Sequence, residues 1–251
     1  MRIQHNIMAM NAYRNYNTNT TALSKNLEKL SSGYKINRAG DDAAGLAISE
    51  KMRAQITGLS KAQDNAKDGI SLVQTAEGAL TEVHDMLNRM VELATQAANG
   101  TYATEDRGYL DLEFQELIAE IDRIGSNSNF NGQQIFSANV MVTLQIGEKG
   151  TEIYQLTFSV GNLSSAALSI DGDAITSHGT ATAAISSVNA AIKKVNEMRA
   201  TLGATQNRLE HTINNLGVMT ENIQDAESTI RDTDIADEMM AYTKNNILIQ
   251  S

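Results

Sequence analysis

The chain has 251 residues, no Cys, no Trp and no Pro, and a formal net charge of −10 at pH 7. Without Cys it has no disulfides, thiolate metal sites or cysteine nucleophiles, and an acidic chain lacks the basic face that binds nucleic acid. Proline breaks helix interiors, so its absence is typical of a chain built mostly from long helices.

The first predicted element is a helix near the start of the chain. An apolar stripe at alternating steps of four and three residues extends from Ala9 to Tyr34 and includes Leu23, Leu27 and Leu30. This is the heptad spacing of a coiled-coil seam, which requires a partner helix. The first residues lack the apolar run and small-residue cleavage site of a signal peptide. No stretch approaches 18 apolar residues, so membrane insertion is not expected either.

The heptad pattern stops within "LSSGYKINRAGDDAAGLAIS", residues 30–49. Gly33 can end the first helix in the left-handed conformation that glycine adopts easily. Asp41 or Asp42 can cap the next helix, where a carboxylate meets the positive end of the helix dipole. We interpret this stretch as a joint, after which the pattern resumes as one long helix to about Ala98.

A turn in "NGTYATEDRGY" leads into a shorter helix from Leu110 to Ile124, which we expect to fold back along the long one. The apolar spacing then changes to two, in two runs separated by "EKG": Val142, Leu144 and Ile146, then Leu156, Phe158 and Val160. This alternation predicts a β-hairpin at about 140–160. Residues 161–182 are rich in Ser, Ala, Gly and Asp, and we predict a variable or surface insertion there.

Heptad spacing returns in the last part of the chain. The predicted seam includes Leu209, Ile213, Leu216 and Ile223, and a final apolar stretch extends from Met239 to Ile249. Because isolated helices are marginal in water, the apolar stripes at the two chain ends need partners, and the economical solution pairs them with each other.

These patterns predict a mainly α fold, a long antiparallel helical rod or coiled coil with a small β-hairpin region. We expect residues 1–42 and 231–251 to form an inner terminal coiled-coil domain with its connecting joint. Residues 43–230 would form a helical rod domain that contains the β-hairpin and the insertion.

No motif in the chain indicates catalysis or a cofactor. His5, His84, His178 and His211 are scattered without the spacing of a metal site. "DGD" at residues 171–173 lacks the further ligands of a calcium loop, and there is no phosphate loop or GxSxG sequence. We therefore expect no enzyme, no metal and no cofactor. A coiled-coil adhesin or phage-tail fibre stays open as an alternative, and would form a parallel trimer.

Three stretches carry a resemblance to a known family: "LSSGYKINRAGDDAAGLAIS", "ALTEVHDMLNRMVELATQAANGT" and "DAESTIRDTDIADEM". They resemble bacterial flagellin, the filament protein of the flagellum, and the similarity covers nearly the whole chain except about 161–182. The chain resembles a short form, which lacks the outer variable domains and the extreme C-terminal tail of many flagellins.

The resemblance implies a structural subunit that is exported without a cleavable signal peptide and polymerises outside the cell into the flagellar filament for motility. It also implies the partners of flagellins: further copies of itself, the export chaperone and export apparatus, the filament cap, and the hook-junction proteins. The alternative is a hook–filament junction protein, which shares related termini. "IRDTD" and "DDAAGLAIS" favour flagellin.

One further implication concerns "LNRMVELATQ", residues 87–96. In flagellins this stretch meets the host Toll-like receptor that senses them, so the resemblance suggests a receptor-binding patch made of Arg89, Glu92, Leu93 and Glu113. Without the resemblance, the spacing of these residues indicates only an exposed helical face, on which Arg89 and Leu93 lie four positions apart. Packing within the filament would explain the same residues.

Overall fold

The computed structural model of the chain describes residues 6–137 and 140–250. Residues 1–5, 138–139 and 251 lie outside the described residues, and with them His5 and the outer ends of the predicted terminal domain. In chain order the elements are α1 (Ile7–Ser32), α2 (Ala43–Ala97), α3 (Thr104–Asn127), β1 (Asn129–Phe130), β2 (Gln133–Gln134), β3 (Met141–Gln145), β4 (Gln155–Ser159), α4 (Ser165–Leu168), α5 (His178–Arg231) and α6 (Ile235–Gln250).

Two long helices dominate the described chain: α2 has 55 residues and α5 has 54. Neither is interrupted, because the chain contains no proline to remove a backbone donor. The prediction of a mainly α fold with long helices and a small antiparallel hairpin is confirmed.

The hairpin pairs β3 with β4 in antiparallel register, with Val142 opposite Phe158 and Leu144 opposite Leu156. These are alternate residues of each strand, so they share one face of the sheet. The connection is longer than the predicted "EKG" turn, since residues 146–154 separate the strands and end in a short 3₁₀ helix, Glu152–Tyr154. The Gln145 side chain donates to the Lys149 carbonyl at 2.6 Å and holds this loop closed.

A second, smaller hairpin was not predicted. It pairs β1 with β2 through a two-residue turn in which Asn131 has φ 51° and Gly132 has φ 80°. Asn-Gly is the residue pair that tolerates positive φ at both central positions of a tight hairpin turn. The dipeptide was therefore a signal for this hairpin in the sequence.

The chain divides into two compact units, with bounds that differ from those predicted. One comprises Lys61–Leu216, which we call the central unit, and the other comprises Met1–Ser60 with Gly217–Ser251, which we call the terminal unit. The central unit has an aliphatic core supplied by α2, α3, the hairpin and α5. Its largest fully buried side chains are Phe114, Phe136, Leu80, Leu87, Met90, Leu93, Ile121, Leu163, Leu168, Ile170 and Ile175.

The prediction that residues 161–182 lie at the surface is wrong. Leu163, Leu168 and Ile170 are buried in the core of the central unit. Polar contacts also hold the segment, since Asp122 on α3 accepts from both the backbone N–H and the hydroxyl of Ser165 at 2.7 Å. The segment was misjudged because its few large apolar residues are spaced irregularly, and because the helix α4 within it is only four residues long.

Candidate assembly surface

In the terminal unit, α1 packs along α6, and together they leave a large amount of apolar surface exposed. The only residue of α1 classed as buried is Asn26, and α6 has none. The exposed large apolar side chains of these two helices are Ile7, Met8, Met10, Tyr13, Tyr16, Leu27, Ile235, Met239, Met240, Ile247 and Leu248. A contiguous apolar surface of this kind is typical of a protein–protein contact.

The predicted seam residues in the terminal unit lie in different environments. Leu27 is 51% exposed, whereas Leu23 and Leu30 on the same helix are half-buried, as is Ile223 on α5. Leu27 is therefore the one of the four that most needs another apolar surface. It belongs to the candidate assembly surface, by which we mean the exposed apolar side chains of α1 and α6.

The other three seam residues lie in the central unit and need no second copy. Leu209 is fully buried in a small cluster with Ala66 and Leu156, against which Ile213 also packs. Leu216 is buried as well. As assembly contacts, Leu209 and Leu216 were wrongly chosen, because both are already buried within the single chain.

The joint between α1 and α2 is held by backbone geometry and two carboxylates. Gly33 ends α1 with φ 76°, and its N–H donates to the Lys29 carbonyl at 2.8 Å. Asp42 caps α2, since its Oδ1 accepts from the N–H groups of Ala44 and Gly45, both at 3.0 Å. Asp41 has another role, described next.

Asp41 folds the loop ahead of α2. Its Oδ2 accepts from the backbone N–H groups of Asn37 at 3.3 Å and Arg38 at 3.1 Å. The hydrogen bond from the Arg38 backbone lowers the pKa of the Asp41 carboxyl, because it stabilises the charged form. Of the two aspartates that sequence left as alternatives for the cap, Asp42 occupies the capping position.

Sequence reasoning missed the residue that ties the joint together, Arg231 at the end of α5. Its Nη1 donates to Glu50 Oε1 at 2.6 Å, and its guanidinium lies 4.7 Å from the centre of the Tyr34 ring. Its carbonyl accepts from Lys35 N–H at 2.6 Å. The bond from Arg231 lowers the pKa of the Glu50 carboxyl. "IRDTD" contains this residue, but a single Arg in a helix end predicts no partner.

The proposed receptor patch is partly assembled. Arg89 on α2 reaches Glu113 on α3 with Nε to Oε1 at 2.8 Å, and Nη1 contacts Glu92 Oε2 at 3.0 Å. These bonds, the one to Glu113 first, raise the pKa of Arg89 above its ordinary value. All three side chains are exposed.

Leu93 does not belong to this exposed patch, and its placement there was wrong. Its side chain is 0% exposed and lies in the core of the central unit. The buried stripe of α2 is wide enough to include Leu93 beside Met90 and Ala94, since several elements pack on this part of the helix. Arg89 and Leu93 are four positions apart, yet one faces solvent and the other the core.

The described residues offer no metal site, and none of their helices has the length and hydropathy to cross a membrane. A groove along α1, lined by Met10, Tyr13, Arg14, Thr21 and other residues of that helix, is part of the candidate assembly surface.

Two protein-family models match the chain. The bacterial flagellin N-terminal helical region matches residues 3–141, and the bacterial flagellin C-terminal helical region matches residues 185–251.

Individual proteins agree with these matches. A flagellin of Halalkalibacterium halodurans is 52% identical over 252 residues, covering 100% of this chain and 93% of that protein. The flagellar filament 33 kDa core protein of Treponema phagedenis is 47% identical over 266 residues, with the same two coverages. The crystal structure of Bacillus cereus flagellin matches with a TM-score of 0.54 at 33% identity, over 61% of this chain and 88% of that one. This chain therefore belongs to the bacterial flagellin family, whose members are structural, non-enzymatic proteins of the extracellular flagellar filament.

Proposed function

We propose that this chain is exported from the cell and polymerises with copies of itself into a helical flagellar filament that serves motility. The observation that carries the proposal is the candidate assembly surface of α1 and α6, which the chain leaves exposed. Its two most exposed members, Met8 at 83% and Tyr13 at 68%, are followed along α1 by Leu27 at 51%.

The energetics favour repeated contact between copies. Burying one such side chain contributes roughly 1.5–3 kcal/mol. A filament repeats the same contact in every subunit, so each subunit that joins gains the burial of its own exposed apolar side chains. A single chain in water gains none of this.

The same surface supports the proposed partners along the export route. Before assembly, exposed apolar helices would associate with unrelated proteins, and an export chaperone that covers them until the export apparatus takes the chain prevents this. We further propose that export uses no cleavable signal peptide, and that the filament cap and the hook-junction proteins contact the terminal unit at the two ends of the filament.

Leu27→Asp tests the assembly proposal. A charge at this position cannot be buried between subunits without a large desolvation cost. We expect no filaments in electron micrographs, and unchanged protection of residues 44–125 against hydrogen exchange. Leu27→Met keeps size and apolarity and serves as the matched control, which should polymerise. Normal filaments from Leu27→Asp would contradict the proposal.

We also propose that a host Toll-like receptor recognises the monomer through Arg89, Glu92 and Glu113. The support is geometric: Glu113 and Glu92 hold the Arg89 guanidinium in place. An arginine whose orientation is fixed in advance loses little side-chain entropy on binding, and arginines are frequent hot spots at interfaces.

Arg89→Ala should weaken receptor binding by about 2 kcal/mol, which is roughly a 30-fold rise in Kd. Arg123→Ala is the matched control, because Arg123 also lies on an exposed helix in an ion pair, with Glu120. It should bind like the wild type, and all three proteins should have the same Tm. Equal affinities for wild type and Arg89→Ala, or equal binding by intact filaments and monomers, would leave this patch with an assembly role only.

A further inference from the structure

The chain contains two Asn–Gly pairs, Asn99–Gly100 and Asn131–Gly132, and both are exposed. The backbone nitrogen that follows an asparagine can attack the side-chain amide and close a five-membered imide ring. Glycine favours this reaction because it has no Cβ to block the approach and adopts either sign of φ. Asparagine counts among the thermolabile residues of proteins. The backbone around each pair decides whether it reacts in the folded chain.

The Asn99 side chain is folded back over its own backbone. Asn99 lies just beyond the C-terminal end of α2, and its Oδ1 accepts from the Thr101 N–H at 3.3 Å. In this arrangement, an Asx-turn, the side chain spans the peptide that follows it. The side-chain amide therefore lies over the Gly100 peptide, whose nitrogen must attack it. The Thr101 N–H also contacts the oxygen on which negative charge develops during the attack, and a backbone donor at that place stabilises the charge.

The attacking nitrogen is accessible, and its peptide is polarised. The Gly100 N–H has no acceptor among the described residues. Apart from its chain neighbours, nothing lies within 4 Å of the position that a Cβ on Gly100 would take. The carbonyl of the same peptide, that of Asn99, accepts from Arg107 Nη2 at 3.1 Å and from the Tyr102 N–H at 3.4 Å. Hydrogen bonds to this oxygen, one of them from a charged group, stabilise the anion that forms when the Gly100 nitrogen loses its proton.

The second pair is held in a geometry that opposes ring closure. Asn131 and Gly132 form the two-residue turn of the β1–β2 hairpin, with φ of 51° and 80°, and Phe130 pairs with Gln133 on either side of them. Ring closure rotates the Asn–Gly peptide, so at this site it must break the turn on which the hairpin depends. Asn99 belongs to no strand of the described chain, so no strand pairing opposes the same rotation there.

We propose that Asn99 is a site of spontaneous deamidation, with water as the only co-reactant. The product adds one negative charge to the turn between α2 and α3, beside Arg107. The inference goes beyond the proposed function, because the reaction belongs to the central unit of the single chain and proceeds whether or not filaments form.

The reaction has two steps, and neither oxidises nor reduces any group. In the first, the Gly100 nitrogen loses its proton and attacks Cγ of Asn99; the N–Cγ bond forms, the Cγ–Nδ2 bond breaks, and Nδ2 leaves as ammonia after taking up a proton. In the second, water opens the imide. Opening at Cγ gives aspartate, whereas opening at the main-chain carbonyl gives isoaspartate, in which the main chain runs through Cβ and Cγ.

Ageing of the folded protein tests the proposal. The wild type is kept in mildly alkaline buffer and sampled over time, and peptide mapping by mass spectrometry measures the deamidated fraction at each pair. Labelling with isoaspartyl methyltransferase identifies isoaspartate. Asn99 should deamidate at least about tenfold faster than Asn131, because only the second site must first open a hairpin. Equal rates, or a faster reaction at Asn131, would overturn the proposal.

A measurement in urea separates the fold from the sequence. With the chain unfolded, Asn99 and Asn131 should react at similar rates, because glycine follows both. The same ratio of rates in the folded and the unfolded chain would show that the fold does not select Asn99, and the proposal would fail.

A matched pair of glycine variants tests the attack by the Gly100 nitrogen. Gly100→Ala adds a Cβ beside this nitrogen, where space is open, and should slow deamidation at Asn99 by about tenfold without lowering the Tm or changing the rate at Asn131. Gly108→Ala adds the same methyl group at an equally open position of α3 and should leave both rates unchanged. An unchanged rate at Asn99 in Gly100→Ala would rule out the ring-closing attack and with it the proposal.

Discussion

The central and terminal units use the same kind of helix with opposite results. Every buried apolar side chain among the described residues lies in the central unit, except Ile36 and Leu59. The large exposed apolar side chains show the reverse distribution, since among them only Tyr109, Leu112, Met141 and Ile153 belong to the central unit. Within one chain, the central unit is completed by its own elements, whereas the terminal unit is left with an open apolar surface.

This difference shows what a heptad pattern does and does not specify. The spacing of apolar residues determines which face of a helix needs a partner. It does not determine whether the partner comes from the same chain or from another copy. In the central unit α3, the hairpin and the 161–182 segment supply the cover. In the terminal unit, the cover for α1 comes from α6 and from the residues around the joint.

The largest expected effect is on backbone opening. In a dilute monomer, amides of residues 73–93 in α2 should exchange at least about 1000-fold more slowly than those of α1 and α6, a difference of about 4 kcal/mol in opening free energy. The buried contacts of the central unit are absent from the terminal helices. Hydrogen exchange followed by mass spectrometry measures both regions in one sample, and similar protection would remove the contrast between the units.

A matched pair of truncations comes next in size. Leu93→Ala removes a fully buried side chain from the central unit and should lower the free energy of unfolding by about 2–5 kcal/mol. Leu27→Ala makes the same exchange at a side chain that is 51% exposed, and in the monomer should change it by less than about 0.5 kcal/mol. Urea unfolding followed by circular dichroism compares the two. A large loss in Leu27→Ala would mean that the monomer already buries this residue.

The smallest effect is a dependence on pH confined to the terminal unit. Arg231 lowers the pKa of Glu50, so the ion pair contributes stability that is present at neutral pH and lost as the pH falls below about 4.3, the ordinary glutamate value. The protection factor of the Lys35 amide, which donates to the Arg231 carbonyl, should then fall.

Two controls sharpen this measurement. Glu50→Gln should lower the protection factor of the Lys35 amide already at neutral pH and make that factor nearly independent of pH between 3 and 6. In the central unit, Arg123 likewise lowers the pKa of Glu120, but both residues lie on α3 and their bond joins no separate segments. Acid should therefore leave protection of α3 almost unchanged. An equal loss of protection in both units would assign the effect to general acid destabilisation.

Much of the fold could be predicted because long periodic patterns are reliable. Alternating steps of three and four located every long helix, and the change to a spacing of two located β3 and β4. The absence of proline also indicated long helices, and the glycine at position 33 indicated where the first of them ends. These are local signals, and each needs only the residues of one element.

The errors concern contacts between elements. Leu93 and Arg89 follow the same helical spacing, and only the position of α3 and the other packing elements decides which of them is buried. The 161–182 segment has no period because most of its large buried residues lie on irregular backbone outside α4. Arg231 and Glu50 are 181 positions apart, and no spacing rule links residues at that separation.

The irregular segment also contains a turn with a practical consequence. Asp171 and Gly172 lie exposed between the buried Ile170 and Ile175, and Gly172 has φ 82°. Exposed turn tips between firmly anchored residues are the sites where inserted sequence is best tolerated. A foreign peptide grafted between Asp171 and Gly172 would leave Ile170 and Ile175 buried in the core and would not change the candidate assembly surface. In the filament proposed above, each subunit would present one copy of the graft, and a regular array of antigens or enzymes along a fibre becomes an engineering target.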